Sequence, residues 1–323
     1  MIKILLHLVS LWVIVIALRN FKRVLFRFYI KRNIKKKLAY LVKKEILEYH
    51  PDEIFPYTGV LGSEQPLTVK VMQAGVHGGL EMLPIEMLLD SLIHDLDIES
   101  LKRNHIQLIV IPIVNYWGFE HYRRVNRWWV DLVRNSGYRT QHENQHVFVK
   151  GWRGMKNKYI WFFALIAWKT WYWKGIRIQE ETQTLLDLLN PLSVLYGSNL
   201  HSFDFHTGNT SEKTHTWSQE LYRSNYLPQY ITEACDLQGV IYEKVDYGTN
   251  GGIYEKIAFD TANHDYIGLT VEFSVTDYYS DLHYSIRYFF GTVFEPSFNI
   301  YLKKKEEGRV FISKLIMEYK EHV

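Results

Sequence analysis

Short, valine- and isoleucine-rich apolar runs that stop at glycines or polar loops are what most constrain the fold of this chain. Leu67–Val76 is rich in valine and is closed by Gly75 and Gly78–Gly79, and Ile106–Val114 (IQLIVIPIV) stops at the polar segment Asn115–Arg124. Short, largely apolar runs of this length fit buried strands. Between them, Leu83, Met87, Leu88, Leu92, Ile93 and Leu96 recur at helical spacing within Glu81–Leu96. Asn199–Phe205 and Tyr266–Val275 add two strand candidates, each with polar residues at or beyond its C-terminal end. Strands alternating with helices imply an α/β sheet, and such sheets place their chemistry at the carboxyl ends of the strands.

The 323 residues show no repeat, Pro/Ser-rich linker or low-complexity block after about residue 50, so a single domain is expected from there to the end. A hydrophobic share of 47% and a charged share of 23% exclude a disordered or polytopic membrane chain. The single cysteine, Cys235, excludes an intramolecular disulfide framework and a cysteine-based zinc finger. Ten Trp, 23 Tyr and 17 Phe need a core, a cleft or a membrane interface. Tyr159–Trp173, interrupted by Lys169, fits a packing or interfacial helix and not a span.

The charge is concentrated at the start. Residues 1–50 hold twelve Lys or Arg against Glu45 and Glu48, so a total of +3 leaves the remaining chain acidic by seven. Phosphate binding needs a positive surface, so the body is not a nucleic-acid binder. Ile4–Leu18 is apolar apart from His7 and Ser10, and no small-residue cleavage site follows it. Beyond it, Arg19, Lys22, Arg23, Arg27, Lys31, Arg32, Lys35, Lys36 and Lys37 interleave with Phe21, Leu25, Phe26, Phe28 and Tyr29. The expectation is an apolar N-terminal helix and a basic juxtamembrane stretch over residues 1–37, contacting anionic lipid. A connecting helix over 38–50 then leads to a domain at 51–323. Positive flanks stay inside, so the tethered domain is expected to be cytoplasmic. The competing reading is a buried N-terminal helix of the globular domain.

His142-Glu143-Asn144-Gln145-His146 formally matches the H-E-x-x-H of helical zinc proteases. Val147-Phe148-Val149 continues it as a strand, not a helix, so a polar loop is the favoured reading. Four dispersed elements make a better constellation. His77-Gly78-Gly79-Leu80-Glu81 follows the first strand, and Arg123–Asn126 with Asp131–Asn135 follows the second. Asp204-Phe205-His206-Thr207-Gly208 ends the third, and Glu272-Phe273 lies on the last. Two imidazoles, carboxylates and arginines at strand ends suit a mononuclear zinc hydrolase. Such an enzyme needs a metal with one open position, a carboxylate to take a proton and an arginine to face an oxyanion.

Together these elements resemble the zinc carboxypeptidase superfamily, and within it the bacterial carboxypeptidase-like branch near succinylglutamate desuccinylase and aspartoacylase. The resemblance spans roughly residues 60–280. It rests on Gly75-Val76-His77-Gly78, Asn115-Tyr116-Trp117-Gly118-Phe119, Arg123–Asn126, Val130–Asn135, Asp204–Gly208 and Leu269–Phe273. It implies a mixed, mostly parallel sheet with helices on both faces. It also implies zinc held by His77, Glu81 and His206, with Glu272 as general base and Arg124 at the oxyanion. Arg134 and Asn135 would bind substrate, a peptide or an N-acyl amino acid. Two positions depart from the pattern: Glu81 follows His77 by four residues instead of three, and Val133 stands where the family has an Asn. The alternative is therefore a metal-free pseudoenzyme or binding module on the same fold.

Overall fold

A computed structural model describes residues 25–135, 177–208, 215–219, 228–239, 241–245, 253–261, 266–274 and 298–317. It opens with helix α1 (residues 25–43), followed by β1 (Glu48–Tyr49), β2 (Tyr57–Gly62) and β3 (Thr68–Ala74). Helices α2 (Met82–His94) and α3 (Ile98–Arg103) lead to β4 (Ile106–Ile111) and α4 (Tyr116–His121). Then come α5 (Glu180–Tyr196), β5 (Leu200–Gly208), β6 (His215–Gln219), α6 (Gln229–Gln238) and β7 (Ile241–Val245). Helix α7 (Ile253–Thr261), β8 (Ile267–Ser274) and α8 (Phe298–Met317) complete it.

The strands form one sheet in the order β1-β2-β4-β3-β5-β8-β6-β7. The centre, β4-β3-β5-β8, is parallel, whereas β2 on one side and β6 on the other run antiparallel to it. The expected mixed, mostly parallel sheet is present. Its centre consists of the four runs read from the sequence.

The pleat sorts these strands between two cores. Met72, Ala74, Phe203, Phe205, Leu269, Val271 and Phe273 face a core shared with α1, α2, α6 and α8. Val69, Val71 and Leu200 face the opposite core, under α5 and α7. By the two-residue period of a strand, Ser202, Asp204, His206, Thr270 and Glu272 therefore all lie on the α5/α7 face. That polar row at the carboxyl ends of β5 and β8 is where a site can form.

The N-terminal expectation needs correction for the described residues. The boundary between 37 and 38 falls inside α1, and the expected connecting helix over 38–50 is only the end of α1 followed by turns and β1. Ile30, Ile34, Leu38 and Leu41 form one stripe, all buried in the domain core. Each contributes roughly 1.5–3 kcal/mol by leaving water. Lys31 and Lys35 pair with Glu120 at 3.1 and 2.8 Å, and Lys37 reaches Glu86 and Asp90 on α2, both at 2.5 Å. Lys305 of α8 bonds the same two buried acids at 3.3 and 3.0 Å. Helices from both ends of the described chain thus clamp α2. The apolar run 4–18 lies outside the described residues, and among those described no helix is long and apolar enough to cross a membrane. Tyr159–Trp173 and His142–His146 also lie outside them.

Candidate metal centre

The site is assembled where β3 ends. Gly75 and Gly78 both take positive φ (68° and 51°), turning the chain out of the sheet and into a 3-10 turn over Gly78–Leu80. A Cβ on Gly78 would lie 2.6 Å from the Gly118 carbonyl carbon and 2.7 Å from the Arg123 oxygen, so only glycine fits there. The turn delivers Glu81 to the N-cap position of α2. Its carboxylate folds back, with Oε2 accepting from the His77 backbone N–H at 2.8 Å. The extra residue between His77 and Glu81 is taken up by this turn.

His206 arrives from the end of β5. Its Nδ1 is 2.6 Å from Glu81 Oε1, and His77 Nε2 is 3.8 Å from the same oxygen. Ligand atoms of His77, Glu81 and His206 all lie within 4.8 Å of one another, and all three residues are buried. Tetrahedral zinc with bonds of about 2.1 Å sets its donors roughly 3.4 Å apart, a value these separations bracket. The two imidazoles and one carboxylate expected from the sequence are brought together.

Two further buried carboxylates and a partly buried arginine surround them. Asp204 Oδ2 is 2.6 Å from His206 Nε2. Asp131 Oδ1 is 3.6 Å from His77 Nδ1, and Asp131 Oδ2 accepts from Arg124 Nε at 3.3 Å. Burial raises the Glu81 carboxyl above its ordinary range, although His206 opposes the shift. Burial also opposes a charge on His206, yet Asp204 and Glu81 hold its imidazole well above the ordinary value. Among the described residues three carboxylates meet one guanidinium here, and a divalent cation would offset their negative charge. The donor set fits zinc.

The arginine-bearing loop is built to present this side. Asn115 caps α4 by accepting from Gly118 N–H at 2.8 Å, and its amide donates to the Arg124 carbonyl at 3.2 Å. Asn126 closes the next turn, its Oδ1 accepting from the Trp128 and Val130 N–H groups at 3.0 and 3.1 Å. Asp131 caps the 3-10 turn Leu132–Arg134, so Arg134 stands at the end of a fixed element. The Asn135 amide donates to the Arg177 carbonyl at 2.9 Å and accepts from Gln179 N–H at 2.5 Å, which ties this turn to the start of α5. Glu272 pairs in register with His206 on the neighbouring strand, on the same face and half-buried.

Asp131 and Asp204 are the groups that the sequence reading quoted without a role. Asp204 had a local signal, since residues two apart on a strand share a face. Asp131 had none, because its contact with His77 is made across the fold.

No protein-family model and no curated protein sequence matches the chain. Solved structures do. A metallopeptidase candidate from Shewanella amazonensis aligns over 88% of this chain and 91% of its own, at 15% identity and a TM-score of 0.51. A second, from Shewanella denitrificans, aligns over 88% of each chain at 14% identity and a TM-score of 0.51. Bovine thrombin-activatable fibrinolysis inhibitor, solved with a tick carboxypeptidase inhibitor, aligns over 88% and 95% at 13% identity and a TM-score of 0.51. At these identities the likeness is one of fold, and it is the fold that the motifs resemble.

Proposed function

We propose that this chain, on its zinc carboxypeptidase-like fold, is a zinc-dependent hydrolase of a peptide or N-acyl amino-acid amide bond. The observation that carries the reading is the convergence of His77, Glu81 and His206 at the carboxyl ends of β3 and β5. Zinc, when bound, would polarise the scissile carbonyl and make an attacking water more acidic. Glu272, beside His206 in register, would take the proton of that water and pass it to the leaving nitrogen. Arg124, braced by Asp131, would face the charge that develops on the carbonyl oxygen. Arg134, at the end of the adjoining turn, would pair with a substrate carboxylate.

The test is metal analysis of the purified protein after zinc loading, followed by assay against peptides with free C-termini and against N-acyl amino acids. About one zinc per chain with release of free amine supports the reading. No retained zinc leaves the alternative, a binding module on the same fold.

The same reading places the protein at a membrane through its N-terminus, with the hydrolase domain on the cytoplasmic side. The outer face of α1 supports this. Leu25, Phe28 and Tyr29 are 52%, 55% and 64% exposed at its start, and Arg32 and Lys36 continue that face into solvent. Aromatic rings beside exposed lysine and arginine suit an anionic lipid surface.

A further inference from the structure

We infer that Asp204 is a positioning residue for the metal centre, fixing the tautomer and orientation of His206; the inference rests on the zinc reading above. Asp204 and His206 are successive residues on one face of β5, 5% exposed each, with Asp204 Oδ2 2.6 Å from His206 Nε2. A proton on Nε2 would make that contact a hydrogen bond donated to Asp204. The lone pair offered to a metal would then be on Nδ1, the nitrogen that faces Glu81 at 2.6 Å. A ring held at one nitrogen cannot swing away from its neighbours, and a carboxylate behind an imidazole makes the opposite nitrogen a better donor.

The surroundings argue against a merely structural carboxylate. Asp204 Oδ1 is buried and accepts no hydrogen bond among the described residues. Burying a carboxylate with one oxygen unsatisfied is unfavourable, and an amide or apolar side chain would serve packing better. The neighbouring polar groups are bonded to one another. Gln73, opposite Asp204 on β3, donates to the Tyr254 hydroxyl at 3.3 Å, and that hydroxyl shares a 3.1 Å hydrogen bond with Ser202. Burial, with the Asp204 charge, holds the Tyr254 phenol well above its ordinary value, so it remains a neutral hydroxyl. Asp204 is thus left facing His206.

The experiment compares wild-type protein with Asp204→Asn, which preserves size and polarity while removing the charge. Zinc affinity is read by chelator competition, the cobalt-substituted centre by visible absorption, and folding by circular dichroism and thermal melting. The expected result is a folded variant whose zinc Kd is raised about 10- to 100-fold, with an altered cobalt spectrum. A folded variant with wild-type zinc affinity overturns the inference. Should the variant not fold, nitrogen-15 histidine NMR of zinc-loaded wild-type protein decides. Zinc on His206 Nδ1 with a proton on Nε2 supports the role of Asp204, and zinc on Nε2 refutes it. Wild-type protein that takes up no zinc removes the underlying reading, and this inference falls with it.

Discussion

Replacing Gly78 by alanine tests whether the turn between His77 and Glu81 sets the metal centre. Gly78 has φ +51°, and an alanine in that left-handed region costs about 1–2 kcal/mol. Its Cβ would also meet three backbone atoms, Gly118 C at 2.6 Å and Arg123 O and Gly118 Cα at 2.7 Å. Backbone cannot rotate out of the way as a side chain can, so this contact adds about 1–3 kcal/mol of overpacking. The expected loss is therefore about 2–5 kcal/mol. Gly239 is the internal control, since it has φ +59° with nothing within 4 Å of a Cβ among the described residues. Gly239→Ala should lose only the conformational share, about 1–2 kcal/mol. Urea unfolding of the two variants beside the wild type isolates the clash as their difference. Zinc affinity supplies the functional reading, because strain at Gly78 moves either the His77–Glu81 turn or the Arg123 carbonyl that accepts from Gly79 N–H at 3.2 Å. Gly78→Ala should weaken zinc binding, and Gly239→Ala should leave it unchanged. Equal destabilisation by both variants, or wild-type zinc affinity in Gly78→Ala, would refute the reasoning.

His206→Ala should abolish zinc retention, whereas His142→Ala and His146→Ala should leave metal content unchanged; the reverse pattern in metal analysis would restore the H-E-x-x-H reading. Glu272→Gln should lower turnover by about 10²–10⁴ while zinc stays bound, and full activity in that variant removes Glu272 from the mechanism. On α1, reversing Arg32 and Lys36 to glutamate should weaken binding to phosphatidylserine vesicles with little change in melting temperature. Ile34→Ala should instead lower stability by about 2–5 kcal/mol, since Ile34 is fully buried. If the charge reversal leaves vesicle binding intact, the outer face of α1 is not the lipid contact.

The centre of the sheet was legible because its strands are short, apolar-rich runs closed by glycines or polar residues, as in Ile106–Val114. Its flanks were not. The flanking strand β6 (HTWSQ) carries too little apolar character to be told from a loop, and it is a strand because β8 and β7 supply its partners. Residues 25–37 are ambiguous for a different reason. An apolar stripe among lysines has the same pattern whether the stripe meets lipid or a protein core. The choice depends on Glu86, Asp90 and Glu120, acids far along the chain that only the fold brings opposite Lys37 and Lys31. The metal ligands were legible by type and order, whereas the His77–Glu81 spacing had looked like damage. The structure gives the physical condition under which such an insertion is harmless. A ligand pair that straddles a strand end and a helix start can absorb one residue if a glycine between them can turn left-handed. The second ligand must also remain at the helix N-cap. Gly78 and Glu81 meet both conditions, and the carboxylate still reaches His206 at 2.6 Å. Had position 78 held any residue with a Cβ, the same four-residue spacing would have counted against a metal centre.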